Sequence, residues 1–156
     1  MHDDAVLTFS TKPFVDLTSD DLYDALALRQ RVFVVEQRCI YNDCDGADRH
    51  ALHLLGRDDV DRTLIAYARL FGPGVKFAEA AIGRVVTNPD ARRTGAGKSL
   101  MREAIARTHT LFGASPIRIG AQRYLEKFYG DLGFVVAGEP YVEDDIPHVE
   151  MLLRAP

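Results

Sequence analysis

The chain has no tryptophan and only two cysteines, Cys39 and Cys44, among its 156 residues. Two cysteines are too few for a disulfide framework, and a chain of this length can bury a sizeable core without one. A structural zinc site would need a second pair of ligands at short spacing, which is missing. No cysteine-protease signature surrounds either residue, so we expect two reduced thiols and no metal.

Long apolar runs and an excess of positive charge are also missing. No segment approaches the ~20 apolar residues of a membrane-spanning helix. The N-terminal segment MHDDAVLTFS is acidic and lacks the apolar centre of a secretory signal. The formal net charge of −4 disfavours a general nucleic-acid-binding surface. We therefore expect a cytoplasmic protein with no membrane and no nucleic-acid partner.

The composition is typical of a soluble globular protein, with 47% hydrophobic and 27% charged residues, and predicts a single domain over residues 1–156. Residue patterns predict the order β-α-β-β-β-α-β-α-β-β. Three consecutive strands in the middle exclude a Rossmann repeat, so we predict an α/β domain whose mixed (α+β) sheet is flanked by helices. The predicted strands are 7–17, 51–57, 63–72, 77–89, 116–121, 134–142 and 148–154; the predicted helices are 18–37, 95–113 and 122–133.

The segment NPDARRTGAGKSL, residues 88–100, ends in the Gly-Lys-Ser of a nucleotide-binding P-loop. That pattern requires a glycine five residues before Gly97, where Arg92 stands, so we interpret the Gly-Lys-Ser as coincidental. Between a predicted strand and a predicted helix, the remaining glycines and arginines would combine free backbone N–H groups with a positive helix end. On this segment alone, a phosphate site and an ordinary helix start are equally supported.

The spacing Arg92-x-x-Gly95-x-Gly97 resembles the R/Q-x-x-G-x-G/A signature of the GCN5-related N-acetyltransferase (GNAT) superfamily. The segment AQRYLEKFYGDLGF, residues 121–134, resembles that family's second motif. More closely, segments spread over most of the chain resemble the ElaA-like branch in the right order, although Asp145 replaces a glycine that is usual there. These segments are 32–48, 82–85, 120–134 and 141–151.

The resemblance implies the GNAT acyl-CoA N-acyltransferase fold and an acetyl-CoA-dependent N-acetyltransferase that acts on a primary amine. The alternative is a non-catalytic acyl-CoA-binding or regulatory module on the same fold. Acetyl-CoA would be the cosubstrate, and a small-molecule or peptide amine would be the acceptor. The fold often forms dimers, so a homodimer is also compatible with the resemblance.

The resemblance also assigns site residues. The backbone of residues 93–98 would hold the pyrophosphate, residues 85–87 would run beside the pantetheine arm, and Tyr129 would protonate the leaving thiolate, since tyrosine ordinarily has a pKa of about 10. A separation of seven residues predicts that Gln122 shares one helix face with Tyr129. Ordinary core packing is the alternative role for these apolar and aromatic side chains. The implied cofactor-binding residues are Val85, Val86, Thr87, Arg92, Arg93, Thr94, Gly95, Ala96, Gly97, Lys98, Gln122 and Tyr129.

The sequence leaves the general base open. His148 is the best candidate by residue type, because the ordinary pKa of imidazole lies nearest to neutral pH. Its rivals are Glu36, Asp45, His53 and Glu150, each of which could instead be an ordinary polar side chain. The carboxylates of the loop YNDCDGAD are expected to attract a cationic amine.

Overall fold

The structure is a computed structural model that describes residues 6–156. Residues 1–5, which belong to the segment tested above for a secretory signal, lie outside the described residues. The strands are β1 Leu7–Pro13, β2 Leu52–Asp58, β3 Leu64–Phe71, β4 Ala80–Thr87, β5 Ile117–Gln122, β6 Val135–Val136, β7 Tyr141–Glu143 and β8 Ile146–Leu153. The α-helices are α1 Ser19–Arg29, α2 Ala96–Phe112 and α3 Glu126–Gly130.

Within residues 6–156 the eight strands form one sheet, in the order β1-β2-β3-β4-β5-β8-β6, and β7 also pairs with β8. All neighbouring strands are antiparallel except β4 and β5. The long helix α2 between these two strands supplies the crossover connection that a parallel pair requires. The predicted mixed sheet flanked by helices is therefore confirmed.

The two faces of the sheet bury different helices. Side chains alternate along a strand, so the adjacent residues Leu54 and Leu55 point to opposite faces. Leu54 packs in the cluster that contains Leu100 of α2, and Leu55 packs in the cluster that contains Leu28 of α1. The core therefore lies in two layers, one on each side of the sheet.

Helix α1 begins with a capping box and ends in a π-helical turn. The Thr18 side chain accepts a hydrogen bond from the Asp21 N–H at 3.0 Å, and the Asp21 carboxylate accepts one from the Thr18 N–H. After Arg29 the helix continues as a π-helix over Gln30–Glu36. The Gln37 N–H reaches the carbonyl of Val32 at 3.1 Å, five residues back. The helix predicted over 18–37 therefore consists of α1 and this π-helical turn, and it ends at Glu36.

Several predicted boundaries are wrong. The strand predicted over 134–142 is split into β6 and β7, and the segment between them contains Pro140, which cannot donate a ladder hydrogen bond. Pro13 ends β1, and a 3-10 turn over Phe14–Asp16 follows it. Another 3-10 turn, Pro89–Ala91, separates β4 from residues 92–98, which are called the phosphate loop below after their predicted role.

The predicted helical position of Gln122 is also wrong. Gln122 is the last residue of β5 and pairs with His148 of β8. A 3-10 turn over Arg123–Leu125 then separates it from α3, which holds Tyr129. The two residues therefore do not share one helix face, because the sheet ladder extends further than the sequence pattern indicated.

The capping box predicts a measurable loss of stability for Thr18→Ala. The substitution leaves the Asp21 N–H without its side-chain acceptor, so we expect it to cost about 1 kcal/mol in the free energy of unfolding. Urea unfolding followed by circular dichroism measures this. Ser19→Ala is the matched control, since the exposed Ser19 side chain makes no hydrogen bond within the described residues. Equal losses in the two variants would contradict a capping role.

Candidate active site

A cleft opens where β4 and β5 part. The two strands pair only at Ala80 with Ile117 and at Ala81 with Arg118. β4 remains paired with β3, and β5 with β8, so the side of β4 that faces β5 has no strand partner beyond Ala81 within the described residues. The resulting cleft has a volume of about 1230 Å³. Its lining includes Gly83 and Gly120. A Cβ atom at Gly83 would meet open space, whereas a Cβ atom at Gly120 would lie 2.9 Å from the Tyr141 hydroxyl.

A β-bulge interrupts β4 at the cleft. Val86 pairs with Tyr67 and Gly83 pairs with Arg69, so Arg84 and the residue after it lie opposite one residue of β3. Arg84 has a φ of +49°, which is uncommon for a residue with a side chain. A bulge re-aims side chains and backbone groups away from the regular ladder, and bulges often lie beside active sites. Here the bulge lies on the strand edge that borders the cleft.

The loop before α2 has the geometry of an anion site. Arg93 and Gly95 both adopt left-handed backbone angles, with φ of +67° and +86°. The first helical bond runs from the Ser99 N–H to the Gly95 carbonyl at 3.0 Å. The N–H groups of residues 96–98 therefore have no acceptor within the helix and lie at its positive end. Such a turn and such a helix end together favour the binding of a phosphate group.

The structure brings most of the predicted site residues to this region, but not all to the same cavity. Thr94, Gly95 and Ala96 line a smaller cavity of about 300 Å³. Arg93 and Lys98 line neither cavity. The predicted residues that line the large cleft are Glu36, Asp45, Val85, Val86, Thr87, Arg92, Gly97, Gln122, Tyr129, His148 and Glu150.

Tyr129 reaches the cleft from α3 and is only 6% exposed. Its ring makes edge-to-face contacts with Phe128 and Phe134, at centroid distances of 5.1 and 6.0 Å. Burial raises the pKa of Tyr129 above its ordinary value of 10. Within the described residues the hydroxyl makes no hydrogen bond. The phenol is therefore held in its protonated form by its apolar surroundings.

His148 lies on β8 opposite the end of β5, with its ring stacked on Tyr141 at a centroid distance of 5.6 Å. Its Nδ1 lies 2.7 Å from the carbonyl oxygen of Ile146. A carbonyl oxygen only accepts, so Nδ1 carries the hydrogen and donates it. In the neutral ring this arrangement leaves Nε2 with a free lone pair, as a proton acceptor needs.

Three of the rival bases are less suited to accept a proton. Arg92 hydrogen-bonds Glu36 through both of its terminal nitrogens, one at 3.0 Å, and lowers the pKa of Glu36 below its ordinary 4.5. Burial alone would raise the pKa of Asp45, but the hydrogen bonds from Arg69 and the Ala47 N–H, together with the charges of Arg69 and Arg84, lower it overall. His53 lies outside the cleft, and burial lowers its pKa. The remaining rival, Glu150, lines the cleft and lies 3.4 Å from Arg118.

The ion pair between Arg92 and Glu36 also connects the phosphate loop to the π-helical turn. The guanidinium of Arg92, one of the implied cofactor-binding residues, is paired with Glu36 at the end of the π-helical turn. The next residue, Gln37, exchanges two amide hydrogen bonds with Gln122, at 3.1 and 3.2 Å. The end of the π-helical turn therefore connects the phosphate loop to the end of β5, and all four side chains line the cleft.

A network of ion pairs fixes the loop between α1 and β2 to the rest of the fold. The buried Arg29 donates to Asp43 and Asp48, each at 2.7 Å. Arg69 donates to Asp45 and Asp48 at 2.8 and 3.1 Å. The three carboxylates are thus held by arginines, and the expectation that this loop attracts a cationic amine is wrong. Sequence reasoning missed these arginines, although Arg29 in an apolar helix face was a signal of a buried charge that needs a partner.

Two further findings concern the described part of the chain. Residues 6–156 contain no group of three or more histidine, cysteine, aspartate or glutamate side chains placed to hold a metal ion. In the same range, none of the helices has both the length and the apolar character that crossing a bilayer requires.

Residues 47–155, more than half of the chain, match the acetyltransferase (GNAT) domain family. The chain therefore belongs to the GNAT acetyltransferase family. Its relatives place it in the ElaA-like branch. ElaA of Escherichia coli is 37% identical over 138 residues, which cover 87% of this chain and 89% of that protein. A UPF0039 protein of Synechocystis sp. is 39% identical over 150 residues, covering 96% and 97%.

Solved structures agree with this placement. An acyl-CoA N-acyltransferase from Pseudomonas aeruginosa matches with a TM-score of 0.87 at 41% identity, covering 96% of this chain and all of that one. E. coli ElaA matches with a TM-score of 0.86 at 34% identity, covering 94% and 98%. The predicted GNAT acyl-CoA N-acyltransferase fold is confirmed.

The ion pairs of Asp45 and Asp48 in this network, and those of Asp21 with Lys12 and Arg57, predict acid-sensitive stability. Burial alone would raise the pKa of each of these carboxyl groups, but hydrogen bonds and nearby positive charges together leave the folded-state pKa below the ordinary 3.8. A lowered folded-state pKa contributes stability that is fully present above the unfolded-state pKa and lost as the pH falls below it. We expect the urea midpoint to fall between about pH 5 and pH 2.

Asp45→Asn tests the origin of this loss. The variant should be less stable than the wild type at pH 6, and the two urea midpoints should converge at low pH, where the wild-type carboxylate also loses its charge. Asp131→Asn is the control, because it removes only an exposed pair with Lys127. A constant difference between Asp45→Asn and wild type at every pH would contradict the assignment.

Proposed function

We propose that the chain is an acetyl-CoA-dependent N-acetyltransferase that transfers an acetyl group directly to a primary amine of a small molecule or peptide. The observation that carries this proposal is Tyr129, whose ring is buried beside the parted strands and whose protonated hydroxyl has no hydrogen-bond partner in the described residues. A module that only bound acyl-CoA would have no use for a proton donor there.

The cleft and the loop before α2 would together hold the proposed cosubstrate. The N–H groups of residues 96–98 and the left-handed turn before them would bind the pyrophosphate. Residues 85–87 would bind the amides of the pantetheine arm through the unpaired edge of β4, as a peptide adds to the edge of a sheet. A backbone N–H near the bulge at Val85 would polarise the thioester carbonyl. Acetyl-CoA supplies the activated acyl group and the thiolate leaving group.

The protein would then move two protons. The His148 Nε2, whose ring is oriented by the Ile146 carbonyl, would take the proton from the attacking amine. Tyr129 would give its proton to the leaving sulfur. The ion pair with Arg92 makes Glu36 a weaker base, so we assign it to holding the phosphate loop. Glu150, which lines the same cleft, is the second candidate base.

Tyr129→Phe tests the proton donor. The substitution keeps the ring that packs on Phe128 and Phe134, so we expect CoA affinity to change little and kcat to fall by about 100-fold or more. Release of free thiol from acetyl-CoA with a panel of amines measures kcat, and titration calorimetry measures CoA binding. Tyr124→Phe is the control, since Tyr124 lines the same cleft but is 72% exposed. A fully active Tyr129→Phe protein would remove Tyr129 from the mechanism.

Ligand truncation tests the phosphate loop. CoA should bind more tightly than pantetheine, which lacks the pyrophosphate, by about tenfold or more, because charge-assisted hydrogen bonds to backbone N–H groups are lost. Calorimetry with CoA, pantetheine and ATP compares the three ligands directly. Equal affinities for CoA and pantetheine would contradict the assignment of the loop. Binding of ATP without binding of CoA would overturn the proposed function as a whole.

A further inference from the structure

One end of the cleft has two walls of opposite charge, and the proposed mechanism uses only His148 and Glu150 of the acidic wall and nothing of the basic wall. The loop after the π-helical turn meets the β7–β8 turn there, since the Cys39 thiol lies 3.1 Å from the carbonyl oxygen of Asp144. On the β3–β4 side the lining includes Arg69, Lys76 and Arg84. On the β7–β8 side it includes Glu143, Asp144 and Glu150, together with His148.

The basic wall has one more positive charge than it can pair within its network. The network joins four cations, Arg29, Arg69, Lys76 and Arg84, to three carboxylates, Asp43, Asp45 and Asp48. Lys76 is the least tightly held of the cations. Its side chain is 38% exposed, and its only ion pair in the described residues is a 3.4 Å contact with Asp45, which Arg69 already binds through two nitrogens.

A buried donor in the same wall also lacks an acceptor. Arg69 is 2% exposed, and its Nε has no hydrogen-bond partner within the described residues. A buried donor without a partner costs free energy. The Nε atom is closed to solvent, so the Arg69 guanidinium contributes to the wall through its positive charge. Arg84 adds a guanidinium at 23% side-chain exposure, which the strained bulge places over the Tyr41 ring. These groups together suit a carboxylate, which accepts hydrogen bonds and carries negative charge.

We propose that the acceptor is an amine that also carries a carboxylate, of the amino-acid type. Its carboxylate would bind at Lys76, Arg69 and Arg84, and its amino group would lie toward His148 and the acidic side chains of β7 and β8. The identity of the reacting group rests on the proposed function, whereas the carboxylate site rests on the basic wall alone. A polyamine fits less well, because two positive ends would leave one of them against the basic wall.

Matched pairs of acceptors test this proposal. Each pair is an L-amino acid and the amine formed by its decarboxylation, such as lysine with cadaverine and phenylalanine with phenethylamine. Turnover is measured by thiol release from acetyl-CoA, and binding is measured by calorimetry on the CoA-loaded protein. We expect the amino acid of a pair to be favoured by about tenfold or more in kcat/KM and in affinity, as for other charge-assisted contacts.

Lys76→Glu should abolish this preference mainly through KM, because Lys76 binds the carboxylate and does not touch the reacting amine. Lys127→Glu is the control, since Lys127 is 90% exposed and does not line the cleft. Thermal unfolding of both variants verifies that each remains folded. A carboxylate preference that is unchanged in Lys76→Glu would overturn the assignment of the basic wall.

The two readouts separate this inference from the proposed function. Turnover of the amines without preference for the carboxylate member would overturn the inference and leave the proposed function standing. Tight binding of the amino acids without any turnover would support the carboxylate site and overturn the proposed function. Neither binding nor turnover with any pair would overturn both.

Discussion

The backbone hydrogen bonds that β4 and β5 do not make determine how the rest of the site is arranged. A buried strand edge normally needs partners for its N–H and C=O groups. Here each strand keeps its other neighbour, so the sheet remains continuous while its centre parts after Ala81. The parting creates a cleft along which backbone groups of β4 have no strand partner within residues 6–156. An extended ligand with amide groups can supply the missing pairs without any rearrangement of the sheet.

Ion pairs hold the loop between α1 and β2 in place, because much of the loop is polar and has few apolar side chains to pack. Three aspartates within six residues would repel one another if they were left unpaired, but arginines from α1, β3 and β4 lie between them. Breaking a buried ion pair by removing one partner typically costs about 3–5 kcal/mol. The loop is therefore fixed to three separate elements of the fold. It becomes a rigid wall of the cleft, which suits recognition of a small ligand.

Sequence reasoning recovered the sheet, the long helix and the position of the glycine-containing loop before α2, because each has a strong local signal. Gly95 precedes the amphipathic pattern of α2, and Gly113 follows it, as helix ends commonly require. The failures involve partners that are distant in sequence. Gln122 lies in β5 because of its pairing with β8, and no local pattern shows such a pairing. Likewise, the role of Arg69 depends on aspartates more than twenty positions earlier.

The π-helical turn at Gln30–Glu36 places two bridging side chains in adjacent positions. Glu36 binds Arg92 of the phosphate loop, and Gln37 binds Gln122 at the end of β5. A π-helical turn holds one residue more than an α-helical turn, so loss of a single residue there would restore a regular helix. Everything after the deletion would then rotate by about 100° around the axis. Both bridges would turn away from the cleft. Among descendants of this sequence, the length of the first helix should therefore vary less than its composition.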